Sequence, residues 1–104
     1  MTSKAYPATK AVDNKSENYT SDPINCLDFE SCFVLVKDEG SFEGTITILG
    51  ALGMTEGETD YEQYGSELTL GSCMVLESVP PFIKIDVVRT TGAVSVWVQP
   101  ILSR

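Results

Sequence analysis

The chain has 104 residues, with 15 acidic and 7 basic side chains and no histidine, so its formal net charge at pH 7 is −8. A chain of this length builds one domain around one core, and its negative charge opposes contacts with phosphate groups. We therefore expect neither nucleic acid nor a membrane as a partner. No apolar run approaches the ~20 residues that span a bilayer, and residues 1–23 contain no stretch typical of a signal peptide, so we expect synthesis in a cytoplasm.

The first 22 residues are polar, lack an apolar repeat and contain three of the seven basic residues. We predict an extended or disordered N-terminal arm over residues 1–22 and a β-sandwich domain over residues 23–104. In one interpretation the arm is a frayed terminus or a cloning remnant. In the other it lies across a neighbouring subunit, with Tyr6 and Tyr19 as anchors and its lysines facing an acidic body.

The remainder of the chain consists of short apolar runs separated by turn residues. Predicted strands lie at 24–28, 32–37, 44–49, 68–70 and 73–76, and a β-hairpin is predicted at 82–99. The acidic, glycine-rich stretch 50–65 is either a short strand around 60–64 flanked by loops or one functional loop. No window has a helical repeat. These features predict an all-β fold, an antiparallel β-sandwich of the jelly-roll or immunoglobulin-like kind with an N-terminal arm, in preference to a small barrel.

The predicted hairpin at 82–99 has two faces that differ in chemistry. After a turn at 90–92, three valines alternate with Ser95, Trp97 and Gln99. The valines face the core, and the only tryptophan faces water or a partner. The predicted core consists of Phe33, Leu35, Ile46, Ile48, Leu68, Leu70, Ile83, Ile85, Val87, Val94, Val96 and Val98.

Trp97 has more than one interpretation. In the simplest, it lies under the long loop and seals a small secondary core. Alternatively, it forms an aromatic platform with Ser95 and Gln99, joined by Tyr61 and Tyr64 if the loop folds over that sheet. Such a platform would stack on a sugar ring or act as a hot spot in a protein contact.

The sequence contains no pattern typical of a catalytic, cofactor or metal site. Cys26, Cys32 and Cys73 are an odd number without a CxxC motif, so we expect reduced thiols and neither a zinc site nor a disulfide framework. Without histidine, a serine or cysteine nucleophile lacks its usual base, so we expect no enzyme. The carboxylates in 56–67 could form an acid–base pair or bind calcium, but their spacing matches no EF-hand loop and a solvated loop is the simpler interpretation.

Three segments, SDPINCLDF, CFVLVKDEGSFEGTITILG and FIKIDVVRTTGAVSVWV, follow one another in an order that resembles small β-sandwich virion proteins of tailed bacteriophages. The matching motifs are Ser-x-Pro-Ile at 21–24, Gly-x-Phe-x-Gly at 40–44 and Thr-Gly at 91–92. Many relatives place Asp-Gly and a tryptophan after the strand that here ends at Gly50. This chain has Ala-Leu-Gly at 51–53 instead.

The resemblance implies a non-enzymatic virion structural protein that is made in the host cytoplasm and needs no cofactor. Capsid decoration, or cementing of the head lattice, is preferred over a tail or fibre module. The implied partners are further copies of the chain, with a trimer favoured, and other virion proteins such as the major capsid protein. The residues expected at these interfaces are Tyr6, Tyr19, Tyr61, Tyr64, Trp97 and Gln99.

Two other functions fit the same sequence. A carbohydrate-binding β-sandwich module would use the face around Trp97 to bind glycans. A small acidic regulator or inhibitor would present residues 56–67 to a basic partner, and its binding would weaken steeply with salt.

Overall fold

The computed structural model of the chain describes residues 3–5, 8–26, 29–51 and 61–103. In these ranges the chain forms ten β-strands and no helix, so no described segment is a helix able to cross a membrane. The strands are β1 (Ser3–Ala5), β2 (Thr9–Lys15), β3 (Tyr19–Thr20), β4 (Ile24–Asn25), β5 (Ser31–Asp38), β6 (Glu43–Ala51), β7 (Glu62–Gln63), β8 (Cys73–Glu77), β9 (Phe82–Thr91) and β10 (Val94–Ser103).

The strands form two antiparallel sheets, so the predicted all-β sandwich is confirmed. We name each sheet for a residue on its outer face. In the Trp97 sheet, β1 and β2 follow one another along one side of β10, and β5 and then β8 lie on its other side. In the Lys84 sheet, β3 and β4 follow one another along one side of β9, and β6 and then β7 lie on its other side.

The core between the sheets is built from side chains at every second position of the long strands. Val94, Val96 and Val98 of β10 and Ile83 and Ile85 of β9 are completely buried, as predicted. β-branched side chains suit this geometry because they pack well on a pleated surface. Burying each such side chain contributes roughly 1.5–3 kcal/mol. The other predicted core residues that are buried are Ile46, Ile48, Leu68 and Val87.

The predicted core is wrong at three positions. Phe33 and Leu35 of β5 are 39% and 42% exposed, because the register pairs Leu35 with Trp97 on the outer face of the sheet. Every residue from Cys32 to Val36 is apolar, so alternation of polar and apolar residues does not indicate which side chains face inward. In the structure, Cys32, Val34 and Val36 face the core. Leu70 lies in the turn before β8, where no strand forms, and is also exposed.

The predicted final hairpin is also wrong, because β9 and β10 belong to different sheets. The connection at 92–93 is an arch that carries the chain from one side of the core to the other. The assignment of inward and outward residues survives this change, since alternation along a strand does not depend on the neighbouring strand. A second arch, at 39–42, joins β5 of the Trp97 sheet to β6 of the Lys84 sheet in the same way.

The two arches pack against each other at one end of the sandwich. The backbone N–H of Glu39 donates to the carbonyl of Ala93 at 3.0 Å. Gly92 has a φ of +79°, and a Cβ there would overlap the carbonyl oxygens of Gly40 and Ser41. Only glycine therefore fits this position without a shift of the second arch. The Asp38 carboxylate accepts backbone N–H groups from within its own arch, which lowers the pKa of Asp38.

The segment predicted as an arm contributes strands to both sheets. β2 pairs with β10, β3 pairs with β9, and Val12 is completely buried in the core. The expectation that this segment lies outside the core is therefore wrong at Val12. The segment TKAVDNK gives little sign of this, because Val12 is the only residue of β2 that the core fully buries.

Candidate functional site

The outer face of the Trp97 sheet carries apolar side chains where a solvated sheet carries polar ones. Register places Trp97 of β10 opposite Leu35 of β5, and Leu35 opposite Cys73 of β8. The next row is Gln99, Phe33 and Val75, again one residue from each strand. We call this surface the Trp97 face; its members are Phe33, Leu35, Cys73, Val75, Trp97 and Gln99.

The Trp97 face is exposed and carries no charge. Phe33 and Leu35 are more than one-third exposed, and Val75 is 51% exposed. A depression of about 330 Å³ lies on this face. It is lined by Ala8 and by every member of the face except Val75. Exposed apolar patches of this kind mark sites of contact with other molecules. The sequence contains a signal for it, because the five consecutive apolar residues 32–36 of β5 must leave some apolar side chains on the outer face.

Lys10 holds Trp97 in place at one border of the face. Lys10 lies opposite Trp97 on β2, and its Nζ is 4.7 Å from the centroid of the indole ring. The same Nζ is 2.8 Å from Oδ1 of Asp13, and this hydrogen bond and charge lower the pKa of the Asp13 carboxyl. The cation therefore covers one face of the ring, which is the surface that a stacked sugar would need.

Ser95 does not belong to the exposed platform that was predicted around Trp97. It is completely buried, accepts the backbone N–H of Asn14 at 2.7 Å and donates to Oε2 of Glu39 at 2.7 Å. These bonds tie β2 to the second arch, at 39–42, through β10. Ser95 therefore has a structural role, while Trp97 and Gln99 remain on the face.

Tyr61 and Tyr64 lie away from Trp97. The Tyr61 ring is 4.4 Å from Nζ of Lys84, on the Lys84 sheet. The Tyr64 hydroxyl donates to the carbonyl of Glu77 at 2.5 Å and so links the Lys84 sheet to the end of β8. The structure does not bring either tyrosine into an aromatic platform with Trp97.

Of the two tyrosines predicted as arm anchors, the structure describes one. Tyr19 lies opposite Val87 in β3, packs against the core, and has Nζ of Lys15 at 4.5 Å from its ring centroid. Tyr6 lies outside the described residues, as do residues 56–60 of the acidic stretch 56–67.

The three cysteines are free thiols. Burial raises the pKa of Cys26 to about 11 and, with a contribution from Cys26, that of Cys32 to about 12, so both thiols are protonated at neutral pH. Cys73 is exposed on the Trp97 face. Among the described residues, no group of three or more His, Cys, Asp or Glu side chains could hold a metal ion.

No family model and no curated protein matches the chain. A solved structure that does match is that of the SPBc2 prophage-derived protein YomS, with a TM-score of 0.74 and 14% sequence identity. The match covers 97% of this chain and 96% of that one, so it includes both sheets. The chain therefore shares the fold of a prophage-derived protein.

Proposed function

We propose that the protein is a non-enzymatic structural protein of a tailed-bacteriophage virion that attaches to the head lattice as an oligomer. The observation that carries this proposal is the Trp97 face, an uncharged apolar surface on a strongly acidic chain. The nearly full-length fold similarity to a prophage-derived protein supports a phage origin. The order of the three sequence segments described above supports it independently.

A contact through the Trp97 face needs little ordering. Phe33, Leu35 and Trp97 stand on the two adjacent long strands β5 and β10, so their backbone is already fixed before a partner arrives. Each Å² of apolar surface removed from water contributes roughly 25 cal/mol, which makes one such contact modest. In a lattice the contact repeats, and each bound copy raises the effective concentration of the next. Weak single contacts then give stable attachment.

The chemistry of the described residues supports a non-enzymatic role. With no histidine in the chain and two of the three thiols protonated, neither Cys26 nor Cys32 can act as an activated nucleophile. Cys73 is exposed, but the outer-face residues beside it on β5 and β10, Leu35 and Trp97, carry no base. Assembly, not turnover, is therefore the function that this surface suits.

Glycan binding is a second candidate because Trp97 and Gln99 border the depression of about 330 Å³. An indole and an amide are the groups that bind a sugar by stacking and hydrogen bonding. Lys10 over the ring argues against the stacked geometry. Lys10→Ala would uncover the ring and would strengthen binding in a glycan screen if this alternative were correct.

The direct test is the composition of purified particles of the phage that encodes the chain. We expect mass spectrometry to find the protein in multiple copies per particle, and immunogold labelling to place it on heads and not on tails. Heads that lack the protein should bind the wild type and lose binding with Leu35→Glu. Val88→Glu is the matched control, because Val88 is 50% exposed on the other sheet. Absence from particles would refute the proposal, and label on tails would support a tail or fibre module instead.

A further inference from the structure

Strand β8 forms an open edge of the Trp97 sheet in the part of the chain that the structure describes. It pairs with β5 on one side and with no described strand on the other. The N–H of Val36 donates to the carbonyl of Ser72 at 2.9 Å. Hydrogen-bonded and non-hydrogen-bonded residue pairs alternate along an antiparallel ladder, so the next hydrogen-bonded pair between β5 and β8 is Val34 and Met74. The backbone groups of the alternate residues, Cys73 and Val75, therefore point away from β5 and towards the open edge.

The edge at β8 lacks the protection that the other described edges have. Natural proteins block exposed edges with charges, prolines, bulges or very short strands. β2 carries Lys10, Asp13 and Lys15 and shifts register against β10. β1 has three residues, one of them a lysine, and β3, β4 and β7 have two residues each. From Cys73 to Leu76, β8 carries no charge and no proline. It is therefore the described edge most suited to pairing with another strand.

Charge argues that the partner is a second copy of this chain. Two copies with a net charge of −8 repel each other wherever their carboxylates meet. At β8 and at the neighbouring Phe33 and Leu35 there is no charge to repel, and Glu77 lies at the end of the strand. A basic partner would gain no electrostatic attraction from this uncharged edge. Two identical acidic chains can approach closely there.

We propose that β8 pairs antiparallel with β8 of a second copy across a two-fold axis, which joins two Trp97 sheets into one continuous sheet. The Tyr64 hydroxyl already occupies the carbonyl of Glu77, so the pairing residues are Cys73 and Val75. The two Trp97 faces then form one wider apolar surface. A contact of this type produces even numbers of copies, not the trimer expected from sequence. It goes beyond the proposed function, because it is a property of the isolated chain.

The first test is the solution mass of the full chain, by light scattering and sedimentation from about 1 to about 100 μM, the range in which modest interfaces dissociate. We expect a reversible monomer–dimer equilibrium. Val75→Lys places a charge from each copy in the pairing region and should weaken dimerisation at least about tenfold. Val88→Lys is the matched control: it has almost the same exposure, 50% against 51%, but lies on the interior strand β9, and it should dimerise as the wild type does.

Two further measurements keep the proposal testable if Val75→Lys folds poorly. Val75→Pro removes an N–H that points to the open edge and none of the N–H groups that bond to β5, so the ladder with β5 should survive while the dimer weakens. In the wild type, hydrogen exchange at the amides of Cys73 and Val75 should slow as concentration rises. A monomer over the whole range, or a dimer equally sensitive to Val75→Lys and Val88→Lys, would overturn the proposal. If the chain dimerises in solution but is absent from purified virions, the β8 contact stands and the proposed function is refuted.

Discussion

The outer faces of the two sheets have the same alternation but opposite chemistry. On the Lys84 sheet, Thr47 lies opposite Asp86, and the Thr20 hydroxyl donates to Oδ1 of Asp86 at 2.6 Å. On the Trp97 sheet, the corresponding central positions are Phe33 and Leu35. Strand geometry decides which side chains point outward, and the identity of those side chains distinguishes a solvated face from a surface suited to contact. This difference between two halves of one sandwich locates the candidate site.

The strongest test of the comparison uses two neighbouring residues of β5. Val34→Asp should cost several kcal/mol of the free energy of unfolding, because it places a carboxylate in the closed core. Leu35→Asp should change stability by less than about 1 kcal/mol, because the side chain already faces out. Urea denaturation measures both. If Leu35→Asp unfolds the protein as Val34→Asp does, the Trp97 face is not an exposed surface.

The next test concerns the arches, which let the two sheets differ while sharing a core. Gly92→Ala should cost about 3 kcal/mol or more, because the new Cβ strains φ and also meets the carbonyls of the other arch. Gly71→Ala is the control, since Gly71 has a φ of +73° but open space around its Cβ, and should cost only about 1 kcal/mol. Thermal unfolding of the two variants compares them. Equal losses would show that the arches do not press on each other.

Each sheet contains one buried serine whose hydroxyl replaces a missing backbone partner. Ser95 accepts the N–H of Asn14, and Ser21 accepts the N–H of Ile85 at 2.9 Å where the chain passes between β3 and β4. Alanine at either serine should cost about 1–3 kcal/mol, because a buried donor loses its acceptor. Chemical denaturation of Ser95→Ala and Ser21→Ala, with exposed Ser66→Ala as the reference, measures the cost. Losses no larger than that of Ser66→Ala would contradict these roles.

Thiol labelling perturbs the protein least, and it distinguishes the buried cysteines from the exposed one directly. We expect iodoacetamide at pH 7 to modify Cys73 alone in the folded monomer and all three cysteines in denaturant. Burial and the raised pKa values protect Cys26 and Cys32. Intact mass spectrometry counts the labels, and the Cys73→Ser variant should take up none when folded. Rapid native labelling at three sites would show that the core is open.

Sequence reasoning succeeded where polar and apolar residues alternate and failed where they do not. β9 and β10 alternate, so their inward residues and Trp97 were predicted correctly. β5 is apolar at every position from 32 to 36, so only its register against β10 reveals that Phe33 and Leu35 face outward. A hairpin and an arch have the same sequence pattern, a strand followed by a glycine-containing turn and a second strand. The packing of Gly92 against the other arch distinguishes the two. The sequence did not identify Val75 as part of the Trp97 face, because the five residues of β8 do not show which strand they pair with.

The resemblance motifs also gain a physical meaning. Ser21 bridges two short strands along β9, and Gly92 fits under the carbonyls of the second arch. Gly44 has a φ of +150°, and a Cβ there would overlap the carbonyl of Val88. Phe42 between the glycines of the second motif is buried. These residues serve the fold, so the motifs alone do not identify what the protein contacts.

The arches have a consequence for how the chain folds during synthesis. β9 and β10 are the strands on which most of the described partners assemble, and they come after every other described strand in the chain. The Lys84 sheet cannot be completed until β9 has left the ribosome, and the Trp97 sheet cannot be completed until β10 has. Pairing over such long separations slows folding, so we expect a nascent chain that stays open until translation has passed β10. Folding would then begin only after β10 has been synthesised.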